Sequence, residues 1–172
     1  GGRFSYTYAG NINGDTSFQN NDLLYVPTSA EIQQMQFDPT GDPGQAAAFD
    51  NYIAQDDYLS GRRGQYAERY GAQAPWRGRW DVKFLQDYKI KISENKTNTI
   101  QFSVDVLNFG NLIRSEWGLV QQPNNTSPVG VSVDPATLVP TYTFNPNQTE
   151  TFGYDSSLAS RWQMQFGLRY IF

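Results

Sequence analysis

An all-β fold of antiparallel amphipathic strands is what this sequence predicts, on three observations. Its apolar content is rich in aromatics: 172 residues include eleven tyrosines, eleven phenylalanines and four tryptophans but only two methionines. Large planar side chains suit single positions on a sheet face better than a Leu/Ile-packed core. The final stretch, Arg161 to Phe172, alternates apolar and polar residues throughout, which is the period of a strand. Between such stretches lie long segments of Asn, Gln, Gly, Pro, Asp and Thr, the vocabulary of turns and loops.

The first candidate strand is Arg3–Tyr8, where Phe4, Tyr6 and Tyr8 alternate with Arg3, Ser5 and Thr7. It stops at the turn-rich run Gly10 to Asp15, and its opening at Gly1-Gly2 without a leader is what a fragment or a processed chain would show. Residues 9–79 form the first long connection. Within it Ala46-Ala47-Ala48-Phe49, Tyr52-Ile53 and Tyr58-Leu59 predict a short helix inside Gln45–Tyr70.

The next strand is Trp80–Ile90, with Trp80, Val82, Phe84, Tyr88 and Ile90 opposite Asp81, Lys83, Asp87 and Lys89, and with Leu85 and Gln86 breaking the pattern. Ser93 to Thr97 reads as a polar turn, and Thr99–Asn108 as the returning strand, Ile100, Phe102, Val104 and Val106 alternating with Thr99, Gln101, Ser103 and Asp105. Residues 109–160 are the second long connection, in which Gly118–Gln122 and Thr137–Phe144 are expected to make a hairpin. In the last strand Trp162, Met164, Phe166, Leu168, Tyr170 and Phe172 face away from Gln163, Gln165, Gly167, Arg169 and Ile171.

Strand length points to a membrane. Soluble strands usually run about five or six residues, whereas a barrel strand crosses a bilayer in about 9 to 11 tilted residues with aromatics at both ends. No apolar run approaches the roughly 20 residues of a spanning helix. Bacterial barrels join strands by short periplasmic turns and long extracellular loops, and a strand that ends the chain descends toward the periplasm. Counting back from Phe172, the connections run long, short, long, in the order this requires. Four strands close no barrel, because about eight are needed, so residues 1–172 are expected to be part of a larger wall.

Composition narrows the function. Without cysteine the chain has no disulfide, thiolate metal site or cysteine nucleophile, and without histidine it lacks the commonest general base and metal ligand. A net charge of −4 speaks against a nucleic-acid partner, which selects a basic face. No catalytic, cofactor-binding or metal residues are assigned, and the chain is not expected to be an enzyme.

Several motifs carry a resemblance. Arg63-Gly64-Gln65-Tyr66-Ala67-Glu68-Arg69, Ala74-Pro75-Trp76 and Arg79-Trp80-Asp81 resemble the C-terminal region of Bacteroidetes TonB-dependent outer-membrane receptors of the Oar-like kind, which carry a carboxypeptidase-regulatory-like N-terminal domain. So do Asn20 to Pro27, Asp105 to Asn111 and the closing Trp162 to Phe172. The resemblance implies the last four or so strands of a transmembrane β-barrel of about 22 strands, with two long extracellular loops, in a transporter that imports a nutrient ligand across the cell outer membrane. It further implies, as partners, outer-membrane lipid, the barrel-assembly machinery, the plug and other strands of the same receptor and, through them, TonB. Leu168, Tyr170 and Phe172 match the terminal assembly signal of such barrels.

Read from the residues alone, a soluble all-β binding module, such as an adhesin or carbohydrate-binding domain, is the alternative. The two readings differ over Trp80, Phe84, Phe102, Val104, Trp162, Phe166 and Leu168, which meet lipid in the first and form a core in the second. Gln101, Ser103, Asp105, Gln163, Gln165 and Arg169 would line the barrel interior.

The loop chosen for ligand contact is Arg62, Arg63, Tyr66, Arg69 and Trp76, with Arg77 and Arg79 nearby, because arginine and aromatics together enrich binding surfaces; an internal network with Glu68 and Asp81 is the structural alternative. Asn11 to Asp15 with Asn20 to Asp22 offers oxygen ligands but lacks the twelve-residue calcium pattern, so a hydrogen-bonded turn is expected. Asp56-Asp57 is read as a solvated loop pair before an acid–base or cation couple. The Asn-x-Thr sequons at Asn95, Asn124 and Asn147 are read as composition.

Overall fold

The computed structural model of this chain describes residues 1–15 and 20–172; the remainder of the 9–79 connection, residues 16–19, lies outside the described residues. Strand predominates over helix, 37% against 16%. The longer strands are β1 (Val82–Ser93), β2 (Lys96–Leu107), β3 (Val129–Val133), β4 (Pro140–Phe144) and β5 (Gln163–Ile171). The helices are α1 (Ser29–Ile32), α2 (Gln45–Gln55), α3 (Asp57–Ser60) and α4 (Phe109–Ile113). The chain forms two compact units, one of Gly1–Pro75 with Gln122–Gly153, the other of Trp76–Gln121 with Tyr154–Phe172.

The second unit is built on an antiparallel sheet in the order β5-β2-β1. Residues 94–95 turn β1 into β2, inside the predicted polar run, and a bulge falls between Lys91 and Ser93. The register turns three one-dimensional alternations into two faces. Phe84, Val104 and Phe166 share one row, Tyr88, Ile100 and Tyr170 another, and Val82, Val106 and Met164 a third. On the opposite face Lys83, Asp105 and Gln165 are neighbours, as are Asp87, Gln101 and Arg169.

The polar face satisfies itself: Lys83 Nζ lies 2.9 Å from Asp105 Oδ1, and Gln101 Nε2 donates to Asp87 Oδ1 at 2.9 Å. The two breaks in the pattern hold, with Gln86 set opposite Phe102 among the apolar rows and Leu85 opposite Ser103 among the polar ones. Phe84, Tyr88, Phe166 and Leu168 remain exposed, Leu168 at 78%.

The first unit draws much of the two long connections into a core. Tyr6, Leu24, Val26, Ile32, Phe49, Ile53, Leu59 and Val129 are fully buried and pack in one core with Tyr8, Tyr52, Ala67, Ala72 and Phe144. Helix α2 confirms the helix expected within Gln45–Tyr70. It buries Gln45, Phe49, Tyr52 and Ile53, a spacing that keeps them on one helical face. The short α1 is held by a capping box in which Thr28 Oγ1 accepts from Glu31 N and Glu31 Oε2 accepts from Thr28 N at 2.7 Å. Gln45 ties α2 to the sheet, its Oε1 accepting from Phe144 N at 2.8 Å.

Two strand expectations fail here. Arg3–Tyr8 is not a fourth strand of the amphipathic sheet: Arg3-Phe4 pairs with Ala72-Gln73, and Tyr8-Ala9 pairs in parallel with Val129-Gly130. Its tyrosines are consumed by the core, Tyr6 finding a buried acceptor in Asp56. Likewise β4, within the expected Thr137–Phe144, pairs with β3 and not with Gly118–Gln122. Val129-Gly130-Val131-Ser132-Val133 supplies β-branched residues and an unbroken alternation.

Candidate functional site: an aromatic cleft

The open end of the β1–β2 hairpin, opposite its turn, borders an aromatic cleft in the second unit. Asn108 follows β2 with φ 53°, in the left-handed region, and directs the chain into α4; asparagine tolerates this backbone better than most residues with a Cβ. Two bonds close the hairpin there: Phe109 N donates to the Trp80 carbonyl at 2.7 Å, and Asn108 N donates to Asp81 Oδ1 at 2.8 Å. The fork of Arg79 also grips that carboxylate, Nε at 3.0 Å from Oδ1 and Nη2 at 2.6 Å from Oδ2. The guanidinium first, and the Asn108 amide second, hold the Asp81 carboxyl below the usual carboxylate range.

The following loop is pinned from inside. Asn108 Nδ2 donates to the Gly118 carbonyl at 3.1 Å, which fixes the amide orientation because a carbonyl demands a donor. Its Oδ1 then rests against Gly118, whose φ of 66° suits glycine and where an added Cβ would overlap that oxygen. Asn111 Nδ2 donates to the carbonyls of Ser115 (2.8 Å) and Trp117 (3.0 Å), while its Oδ1 accepts from Trp162 N at 3.2 Å. Trp117 is thereby set over Gly110.

The result is a cleft of about 390 Å³ lined by Trp76, Trp80, Trp117 and Tyr154 together with Asn108 and Gly118. Trp80 and Trp117 meet edge to face with centroids 6.3 Å apart. All four rings stay exposed, Trp76 at 86%. Arg77, Glu116 and Gln121 add polar groups. Glu116 is occupied by Arg114 at 2.8 Å, and the Arg114 guanidinium also lies 5.9 Å from the Trp117 ring centre. Arg77 makes no hydrogen bond or ion pair among the described residues. Such a cleft offers π faces, a guanidinium and an amide, a set suited to binding.

The residues chosen from sequence for ligand contact divide between the units. Trp76 lines the cleft, whereas Arg62, Arg63, Tyr66 and Arg69 belong to the other unit. Arg62 pairs with Glu68 at 2.8 Å and lies 5.7 Å from the Tyr58 ring centre. Arg63 pairs with Asp50 at 2.7 Å and donates to the Pro27 carbonyl at 3.2 Å. Tyr66 is exposed beside Tyr25, and Arg69 is exposed.

Leu168 and Tyr170 stand exposed on the apolar face, with Phe172 just past β5 and stacked on Tyr170. Asn98 Nδ2 donates to the Tyr170 hydroxyl. Among the described residues, Asn11 to Asp15 and Asn20 to Asp22 are joined by hydrogen bonds, in which Asn13 Nδ2 donates to Asp22 Oδ1 at 2.6 Å and Gly14 N to Asn11 Oδ1 at 2.8 Å. Asn95, Asn124 and Asn147 are exposed.

Asp56 departs from its reading as solvated: it is 4% exposed, while Asp57 is exposed. Sequence reasoning also passed over Trp117, Tyr154, Asn108 and Gly118 as site residues. Trp117 beside a glycine in a polar stretch was the available signal. Set against family models, curated proteins and solved structures, the chain gives no match.

Proposed function

We propose that this chain is a wall segment of an outer-membrane β-barrel transporter, and that the segments joining its strands form a ligand-capturing part on the cell surface. The observation that carries this reading is the register of the β5-β2-β1 sheet, which places apolar rows across all three strands on one exposed face and polar, ion-paired rows on the other. A soluble sheet would cover that face with a second layer. A lipid-facing sheet leaves it bare.

Length and ends support the same reading. The 12 residues of β1 and of β2 extend about 40 Å, or about 28 Å of height at a 45° tilt, against a hydrocarbon core of about 30 Å. Trp162 stands just beyond one end of β5 and Tyr170 near its other end, as interfacial girdle residues do. On this reading the remaining wall strands pair along the outer edges of β1 and β5. Together with the resemblance to TonB-dependent receptors it makes the chain a non-catalytic part of a nutrient importer, partnered by lipid, plug and TonB, with Leu168, Tyr170 and Phe172 read by the assembly machinery.

The cysteine-free sequence permits a direct test. Single-cysteine variants at Phe166, Leu168 and Tyr170, and at Gln165, Gly167 and Arg169, are labelled with an environment-sensitive fluorophore in vesicles containing brominated lipid. Quenching that alternates with even positions is expected. Uniform quenching, or none, sinks the membrane reading and favours the soluble binding module.

A further inference from the structure

We infer that the aromatic cleft at the open end of the β1–β2 hairpin is a carbohydrate site that takes a pyranose ring bearing an acidic substituent. The inference deepens the ligand-capturing part of the proposal above and is independent of its bilayer part.

Three of the chain's four tryptophans, Trp76, Trp80 and Trp117, converge on one concavity together with Tyr154. None of these rings is spent on a core, and Trp76 at 86% exposure leaves most of its apolar area in water, a cost that a covering ligand removes. The volume falls in the range of about 300–1,000 Å³ typical of small-molecule sites.

Part of the cleft is also held before any ligand arrives. The Trp117 backbone is fixed by Asn111 and its side chain rests on Gly110, and Asn108 is fixed by Asp81 and Gly118, so binding need not order that side of the cleft. A pyranose matches such walls, because its axial C–H faces stack on indoles while its hydroxyl rim meets amides and charged groups. Gln121 is available to that rim. The charge selects among sugars: Glu116 is neutralised by Arg114 and Asp81 is gripped by Arg79, whereas Arg77 makes no salt bridge among the described residues and interacts with the Asp81 carboxylate only at longer range. A guanidinium whose N–H groups are unspent among the described residues, in a ring-walled cleft, receives a carboxylate or sulfate through two parallel N–H bonds. A girdle facing lipid tails needs neither the concavity nor these polar groups.

The full chain in detergent micelles is titrated with uronate and sulfated oligosaccharides and with a neutral oligosaccharide of equal length, following tryptophan emission. A saturable change with an acidic sugar is expected, at least tenfold tighter than with the neutral one. Trp76→Ala and Arg77→Gln, both surface substitutions, are expected to weaken it at least tenfold with unchanged far-ultraviolet circular dichroism; Asn95→Ala, at the far turn, is expected to leave it unaltered. The inference is overturned if no sugar saturates, if neutral and acidic sugars bind alike, if both cleft variants bind as the parent does, or if brominated detergent tails quench the cleft and sugar has no effect. Failure here leaves the alternation of cysteine quenching untouched, and failure there leaves sugar binding untouched.

Discussion

Asp56 accepts three hydrogen bonds in the interior of the first unit, from Leu59 N at 2.7 Å, the Tyr6 hydroxyl at 2.7 Å and Thr151 Oγ1 at 2.6 Å. One carboxylate thus caps α3 and joins residues from positions 6, 56 and 151. Replacing it by alanine strands buried donors and removes the cap, for a loss of about 2–4 kcal/mol; urea unfolding followed by tyrosine fluorescence measures it, and a loss within error of zero refutes the hub.

Burial first, and the bond to Asp56 second, raise the Tyr6 hydroxyl above its ordinary range, and burial does the same for Tyr8, Tyr52 and Tyr142. The folded state therefore holds these protons more tightly than the unfolded one. Below about pH 10 the two states are protonated alike; above it the unfolded chain ionises first, so stability falls as pH rises. Tyrosinate absorbance is expected to rise in step with loss of near-ultraviolet dichroism, and buried tyrosines that ionise while that signal persists would contradict this. The adjacent aspartates were visible in sequence. That only Asp56 turns inward was not, since its two hydroxyl partners lie 50 and 95 residues away.

At the scale of elements, strand β5 was the most legible. Its alternation already assigned Phe166 and Gln165 to opposite faces, and the structure shortens the expected span only at its ends. In a bilayer Phe166→Arg is expected to cost about 2–4 kcal/mol, the penalty for arginine near mid-membrane, while Gln165→Arg stays close to neutral. Refolding into vesicles across a denaturant series reads both, and equal costs would contradict the assignment of faces.

The same period misled at Arg3–Tyr8, because alternation reports that a segment has two unlike faces and not which partner covers the apolar one. Glycine tells a similar story. Gly118→Ala meets Asn108 Oδ1 in a backbone of φ 66°, and is expected to cost at least about 1 kcal/mol and to disturb the cleft, visible as altered tryptophan emission. Unchanged emission and stability would show that the Asn108–Gly118 contact holds nothing in place.

The whole molecule sets two solutions to the burial problem in one chain. One unit closes an aromatic core, and the other leaves an apolar sheet face bare. Diluting out detergent is expected to drive association through that face and the outer edges of β1 and β5, which pair with no strand among the described residues, while the near-ultraviolet tyrosine signal of the core persists. A monodisperse chain in plain buffer would contradict this.

By itself the sequence determined the strand class, the hairpin, the two faces of the sheet and the helix near Gln45, all of which are written in neighbours a few residues apart. Only the tertiary structure decided that the long connections form a core, that Tyr6 belongs to it, and that Trp76, Trp80, Trp117 and Tyr154 share a cleft. Those outcomes depend on pairings across tens of residues, where closure entropy is offset by burial and hydrogen bonds that no local period encodes.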